Sequence, residues 1–174
     1  MKRYYLVIFM LIAFTTGFAN HEVMPVWFVK AFQEQKLGAQ YSLKMNAQPK
    51  FIYEDFNGDK IKDVVIQIIE VKSKKQGVLI MNGDSHHQAA IFGAGKKFTG
   101  EDFNDINWQS GWKLLKNYTA YETIFDKDGD IKGGKKTKLK YPALSIYKLE
   151  DGEEIAAVVI YWKGAKYVSI HEGE

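Results

Sequence analysis

The run Asp55-Phe56-Asn57-Gly58-Asp59-Lys60-Ile61-Lys62-Asp63 puts oxygen-bearing side chains at positions 1, 3, 5 and 9 of one short loop. Alternate side chains of a tight loop can converge on a point, and calcium, a hard cation, takes six to eight oxygens. Asp55, Asn57, Asp59 and Asp63 would supply side-chain oxygens, with the Ile61 carbonyl at position 7. Three carboxylates around a divalent ion leave a local charge of about −1, which favours calcium over a monovalent ion. Magnesium, which keeps its waters in a smaller octahedron, suits such a loop less well. Without a cation the three carboxylates would repel one another. The same residues also allow a plainer reading, a polar hairpin turn whose Asx side chains bond their own backbone.

Other candidates carry less. Asp126-Lys127-Asp128-Gly129-Asp130 repeats positions 1, 3 and 5, but Gly134 and Thr137 fall at positions 9 and 12, so the closing carboxylate is missing. A solvated strand connection is expected there. The stretch Gly93-Ala94-Gly95-Lys96-Lys97 fails as a phosphate loop, because Ala90 stands at the first glycine and Lys97 at the Ser/Thr. His86 and His87 are adjacent, so on a strand they would face opposite sides; a surface turn is expected. No serine lies in a nucleophile-elbow context. The acidic pairs Glu153-Glu154 and Glu101-Asp102 keep a hydrolase as an alternative, although spacing alone does not set them across a substrate. Trp108, Trp112 and Trp162 are expected in core or rim packing rather than as a sugar platform.

The pattern Asp-Phe-Asn-Gly-Asp-x-x-x-Asp followed by an apolar strand resembles the calcium loop of FG-GAP (VCBS-type) repeats, the units of integrin-like β-propellers. The resemblance spans residues 51–84. It implies that the loop joins two strands of a blade, that the second strand begins at Asp63, and that Asp55, Asn57, Asp59, the Ile61 carbonyl and Asp63 are the ligands. The family usually has glycine at position 6, where this chain has Lys60; a side chain there implies a strained backbone. A closed propeller needs more blades than the chain has room for, so one blade-like unit inside a different small fold is expected. The chain is also similar to small exported bacterial proteins that share the DFNGD loop, a glycine- and aromatic-rich middle and a hairpin like Tyr161-Trp162-Lys163-Gly164-Ala165-Lys166. That similarity implies no activity.

The elements that must hold the loop are mostly strands. Residues 23–37 have apolar side chains at helical spacing, with Pro25 at the start and Gly38 at the stop, and predict one amphipathic helix packed on a sheet. Residues 51–53 predict a short strand. Residues 63–71 are β-branched on both faces, which predicts a central strand covered on each side. Residues 72–77 predict a hairpin loop, returning through 78–81, and 89–92 a further strand. The stretch 93–116 gives no clear pattern. Beyond it, 118–125, 138–141, 144–149, 155–162 and 166–171 predict strands joined by 126–136, 150–153 and 163–165 as loops. The expected architecture is mainly β (α+β), an antiparallel meander sheet with an N-terminal helix.

Composition agrees with a globular chain: 174 residues, 46% hydrophobic, 14% aromatic and 26% charged. Zero cysteines exclude disulfides, thiolate metal sites and thiol nucleophiles. A basic start at Lys2-Arg3, an apolar run over 4–14 and small residues at Gly17 and Ala19 predict an export signal over 1–19, leaving one β-rich domain from 20 to 174. The apolar run is too short to span a bilayer, and no membrane insertion of the mature chain is expected. Removing Lys2 and Arg3 lowers the formal charge from +3 to +1 and removes the sole arginine. Nucleic acid is therefore not an expected partner. These observations favour a periplasmic or secreted bacterial protein: a non-catalytic calcium-binding module whose partner is a protein or glycan. An inhibitor or immunity-type protein presenting 100–112 or 126–136 is the other alternative.

Overall fold

The computed structural model describes residues 23–98 and 103–173. The predicted export signal and the Glu101-Asp102 pair lie outside those residues.

A helix, α1 (Val26–Glu34), opens the fold, with Pro25 at its N-cap position. It is shorter than the predicted 23–37, because the chain turns left-handed at Lys36 (φ 56°) into a 3₁₀ turn at Leu37–Ala39. Then come β1 (Tyr41–Leu43), β2 (Ile52–Glu54), β3 (Asp63–Glu70), β4 (Gln76–Met81) and β5 (Ala89–Gly93), all in one antiparallel sheet. β3 is its spine: β4 lies on one side, while β1 and β2 share the other at opposite ends. The second sheet holds β6 (Gly111–Leu115), β9 (Ala143–Glu150), β10 (Glu153–Trp162) and β11 (Tyr167–Gly173) in the order β11-β10-β9-β6. Between β6 and β9 the chain makes a separate ribbon, β7 (Thr119–Phe125) paired with β8 (Ile131–Lys138).

The two-residue period of the strands sorts these elements into layers. On β3, Val64, Ile66 and Ile68 point to one side and pack with Phe28 and Ala31 of α1. Val65 points to the other, where it joins Val78 and Ile80 of β4 and meets Trp112, Leu144, Ile146, Val158 and Ile160 of the second sheet. The alternation continues through the second sheet. Val159 and Ile170 face away from that interior and pack with Ala120 of β7 and Leu139, just past β8. The order is helix, sheet, sheet, ribbon. The central strand covered on both faces is thus as expected, and the chain is mainly β and antiparallel, with none of its sheets closed into a barrel among the described residues.

Beside the helix bounds, three expectations are corrected. Of the strand expected over 138–141, only Lys138 is strand, at the end of β8. The strands do not form one continuous meander, because β6 pairs with β9 across the intervening β7–β8 hairpin. The loop expected over 126–136 is largely strand: only its first residues form a turn, and β8 runs through Ile131–Lys138. Its exposed lysines and glycines carry no alternation of apolar and polar residues, so the hydrophobic period was silent there.

Candidate metal centre

The oxygen-rich loop joins β2 to β3 as a hairpin connection, with Glu54 opposite Asp63 in register. Asp63 is the first residue of β3. The Asp55 carboxylate accepts from the backbone N–H of Gly58 through Oδ1 (2.6 Å) and of Lys60 through Oδ2 (2.9 Å). Asn57 Oδ1 accepts from Asp59 N (3.0 Å), and Asp59 Oδ1 from Ile61 N (2.7 Å). Asn57 Nδ2 donates to Asp59 Oδ2 at 3.1 Å. The loop therefore coils around its own side-chain oxygens, with its N–H groups drawn in by two carboxylates and the Asn57 amide oxygen.

Two backbone positions make that coil possible. Gly58 has φ 81°, and a Cβ there would run into the ring of Tyr141 from the segment before β9. Both the left-handed conformation and the ring demand glycine. Lys60 has φ 71°, the left-handed conformation that the glycine of the resembling family would supply. Holding a lysine there costs about 1–2 kcal/mol, offset in this loop by the Asp55 hydrogen bond to its N–H.

Asp63 is placed differently from the other three. Its side chain is fully buried. Oδ2 accepts from Phe56 N (2.9 Å) and lies 3.3 Å from the Tyr167 hydroxyl of β11, while Oδ1 accepts from Gly83 N (2.9 Å). The same hydroxyl donates to Asn82 Oδ1 at 2.9 Å. One carboxylate thus ties the loop entrance, the end of β4 and the second sheet together. Burial raises the Asp63 pKa to about 6, the negative charge of Asp59 adds to the rise, and the hydrogen bonds from Gly83 and Phe56, with the nearby Tyr167 hydroxyl, oppose it. Burial, and the charge of Asp63 beside it, push the Tyr167 hydroxyl far above its ordinary value.

The donor set is hard oxygen throughout, which fits calcium and not a soft or imidazole-seeking metal. A carboxylate oxygen carries two lone pairs, so Asp55, Asn57 and Asp59 keep acceptor capacity beyond the hydrogen bonds named. Asp63 keeps one lone pair on Oδ1, while its Oδ2 accepts from Phe56 N and lies against the Tyr167 hydroxyl in the interior. Among the described residues no three His, Cys, Asp or Glu side chains are grouped as a metal cluster on their own. Asn57 and the Ile61 carbonyl would have to complete a ligand set. None of the three loop carboxylates has an ion-pair partner among the described residues.

The remaining candidates are absorbed by structure. Asp126 accepts from Asp128 N and Asp130 N through the same oxygen, at the tip of the β7–β8 hairpin. His87 stacks on Trp27 (centroids 5.0 Å apart) at φ 47° in a turn, while His86 is exposed beside Asp84. Glu154 pairs with Lys113, and Glu153 is exposed. Sequence reasoning missed β1, the Asp63–Tyr167–Asn82 connection and the Gln67–Gln109 amide pair (3.1 Å in both directions). The polar Gln67 inside an otherwise β-branched strand was the one available signal for the last.

The fold and site define a mainly β, antiparallel protein with an acidic hairpin loop at the head of its central strand. Compared with known proteins, no family model matches the chain, and neither a curated protein nor a solved structure matches it.

Proposed function

We propose that this chain is an exported calcium-binding β module, without catalysis of its own, that binds a protein or glycan partner outside the cytoplasm. The observation that carries the calcium reading is the loop from Asp55 to Asp63. It coils around the side-chain oxygens of Asp55, Asn57 and Asp59 and runs into buried Asp63. Its carboxylates have no cationic partner among the described residues, and it holds Lys60 in the conformation that lets its N–H meet Asp55. Asp55, Asn57, Asp59 and the Ile61 carbonyl would hold the ion, with Asp63 Oδ1 as the inner ligand. Bound calcium would neutralise the repulsion between Asp59 and Asp63 that already acts on Asp63. The FG-GAP resemblance supports the same ligand set.

The role of the ion in this reading is structural. It would fasten the loop that leads into β3, and β3 touches β1, β2 and β4. Anything that binds the folded chain alone stabilises it by mass action, roughly 2.7 kcal/mol at a hundredfold excess over Kd. For a chain of this size that raises the unfolding midpoint by roughly 5–10 °C. Thermal unfolding in chelator and in millimolar calcium tests it. The wild type should melt higher with calcium, and the difference should vanish in Asp55→Ala and Asp59→Asn. Asp59→Asn keeps the acceptor for Ile61 N, so its loss of response reports the charge and not the turn. Equal midpoints for the wild type in chelator and in calcium overturn the reading.

A further inference from the structure

The open flank of the sandwich lies between the β1–β2 side of the first sheet and the edge strand β6 of the second. Two clefts occupy it, and Trp112 lines both. The first, about 340 Å³, is framed by Lys44, Asn46, Gln48, Gln67, Gln109 and Ser110. The second, about 370 Å³, is mostly apolar, with Pro49, Phe51, Tyr53 and Leu114 along it and Lys113 as its one charged residue among the described residues. Both are within the size range of small-ligand sites.

The first cleft has polar groups with capacity to spare. Gln67 is only 3% exposed, and its amide closes a reciprocal pair with Gln109. Each amide has two N–H donors and two acceptor lone pairs; the pair uses one of each, so one donor and one acceptor remain on both. Trp112 is also 3% exposed, and its Nε1–H is buried without an acceptor among the described residues. A buried donor left unpaired costs about 1–3 kcal/mol, so such a group in a native fold calls for a partner. Asn46 and Gln48 add two exposed amides at the mouth. Among the described residues no carboxylate lines this cleft, and its one ammonium, Lys44, already donates to Gln76 Oε1 at 2.7 Å.

We propose that this flank binds a neutral carbohydrate, its hydroxyls against the amides and the Trp112 indole N–H, and its C–H face along the neighbouring apolar cleft. A vicinal diol offers a donor and an acceptor side by side, as an amide does, and a sugar ring has an apolar face as well. The two ammonium groups on the lining are both engaged, Lys44 by Gln76 and Lys113 of the second cleft by the Glu154 carboxylate, which disfavours acidic or basic polymers. A peptide adding to the free edge of β6 would engage backbone groups and leave the amide cleft unexplained. Trp112 remains a core residue, as its place in the inter-sheet cluster requires; the indole N–H is its polar handle. The inference deepens the partner half of the proposed function and stands on residues separate from the acidic loop.

Titration calorimetry tests it with two neutral probes, a β-linked glucose tetrasaccharide and a β-linked N-acetylglucosamine tetrasaccharide, and with blocked tetra-alanine as the peptide probe. One of the sugars should bind saturably. Trp112→Phe, which keeps the ring and removes the N–H, should weaken it by about tenfold. Gln48→Ala, on an exposed side chain whose loss leaves the fold intact, should weaken it severalfold. Absence of saturable sugar binding at millimolar concentration overturns the proposal, as does undiminished sugar affinity in both variants, or saturation by the peptide alone. The calcium-dependent melting shift of the same samples is read separately, so failure here and failure of the calcium reading are told apart.

Discussion

Asp63 brings an ionisable group to a place where no solvent reaches it, and the consequences are measurable. Its folded pKa of about 6 lies above the ordinary 3.8, because burial disfavours the charged form and Asp59 adds a like charge. The metal-free folded state therefore holds this proton more tightly than the unfolded chain does. The stability so gained is complete below pH of about 4 and is lost as pH rises through about 6. Asp63→Asn removes the titration. In chelator, the midpoint of the variant minus that of the wild type should rise between pH 4 and pH 8, by an amount equivalent to at most about 3 kcal/mol. The variant stays below the wild type at low pH, where an amide cannot accept from both Phe56 N and Gly83 N as the carboxyl oxygens do. A flat difference across that range would show that Asp63 is not the titrating group.

At the scale of elements, the β2–β3 connection and the β7–β8 hairpin are both acidic turns, and their surroundings separate them. The first ends on a buried aspartate at the head of the central strand. The second ends on exposed β8, where Asp126 only accepts from its neighbours' backbone. Asp126→Ala should change the global midpoint by an equivalent of less than about 0.5 kcal/mol and leave the response to calcium as in the wild type. It should speed amide hydrogen exchange at Asp128 and Asp130, whose N–H groups lose their acceptor. A loss of the calcium response in this variant would move the ion to the hairpin tip. The ribbon is tied to the second sheet by Tyr118, which donates to Glu172 at 2.9 Å, and by Thr123, which donates to Gly173 O at 2.9 Å.

At the scale of the molecule, the layers share their strands, so the helix is part of the core and not an ornament on it. Phe28 is fully buried against Ile66, Ile68 and Leu79, residues of the strands whose other faces meet the second sheet. Truncating a buried phenylalanine costs about 3–5 kcal/mol, which in a chain of this length lowers the midpoint by roughly 6–20 °C. Phe28→Ala should do so in one cooperative transition seen equally by far- and near-ultraviolet circular dichroism. Two separated transitions would mean that the helix and first sheet unfold apart from the second sheet.

Local signals determined much of this protein. The β-branched run from Asp63 marked the covered central strand, the helical spacing near Val26 marked α1, and the Asp-x-Asn-x-Asp spacing marked the loop and its candidate ligands, all within the reach of neighbouring residues. Left to tertiary structure were the pairings whose partners lie far apart in the chain. Gln67 meets Gln109, Asp63 meets Tyr167, and β6 pairs with β9 over an intervening hairpin. Periodicity tells which face of a strand is apolar, but it carries no information about which distant strand that face will cover. That choice is made by packing the whole set of faces at once, and with it the burial that shifts Asp63 and the cleft that the amides line.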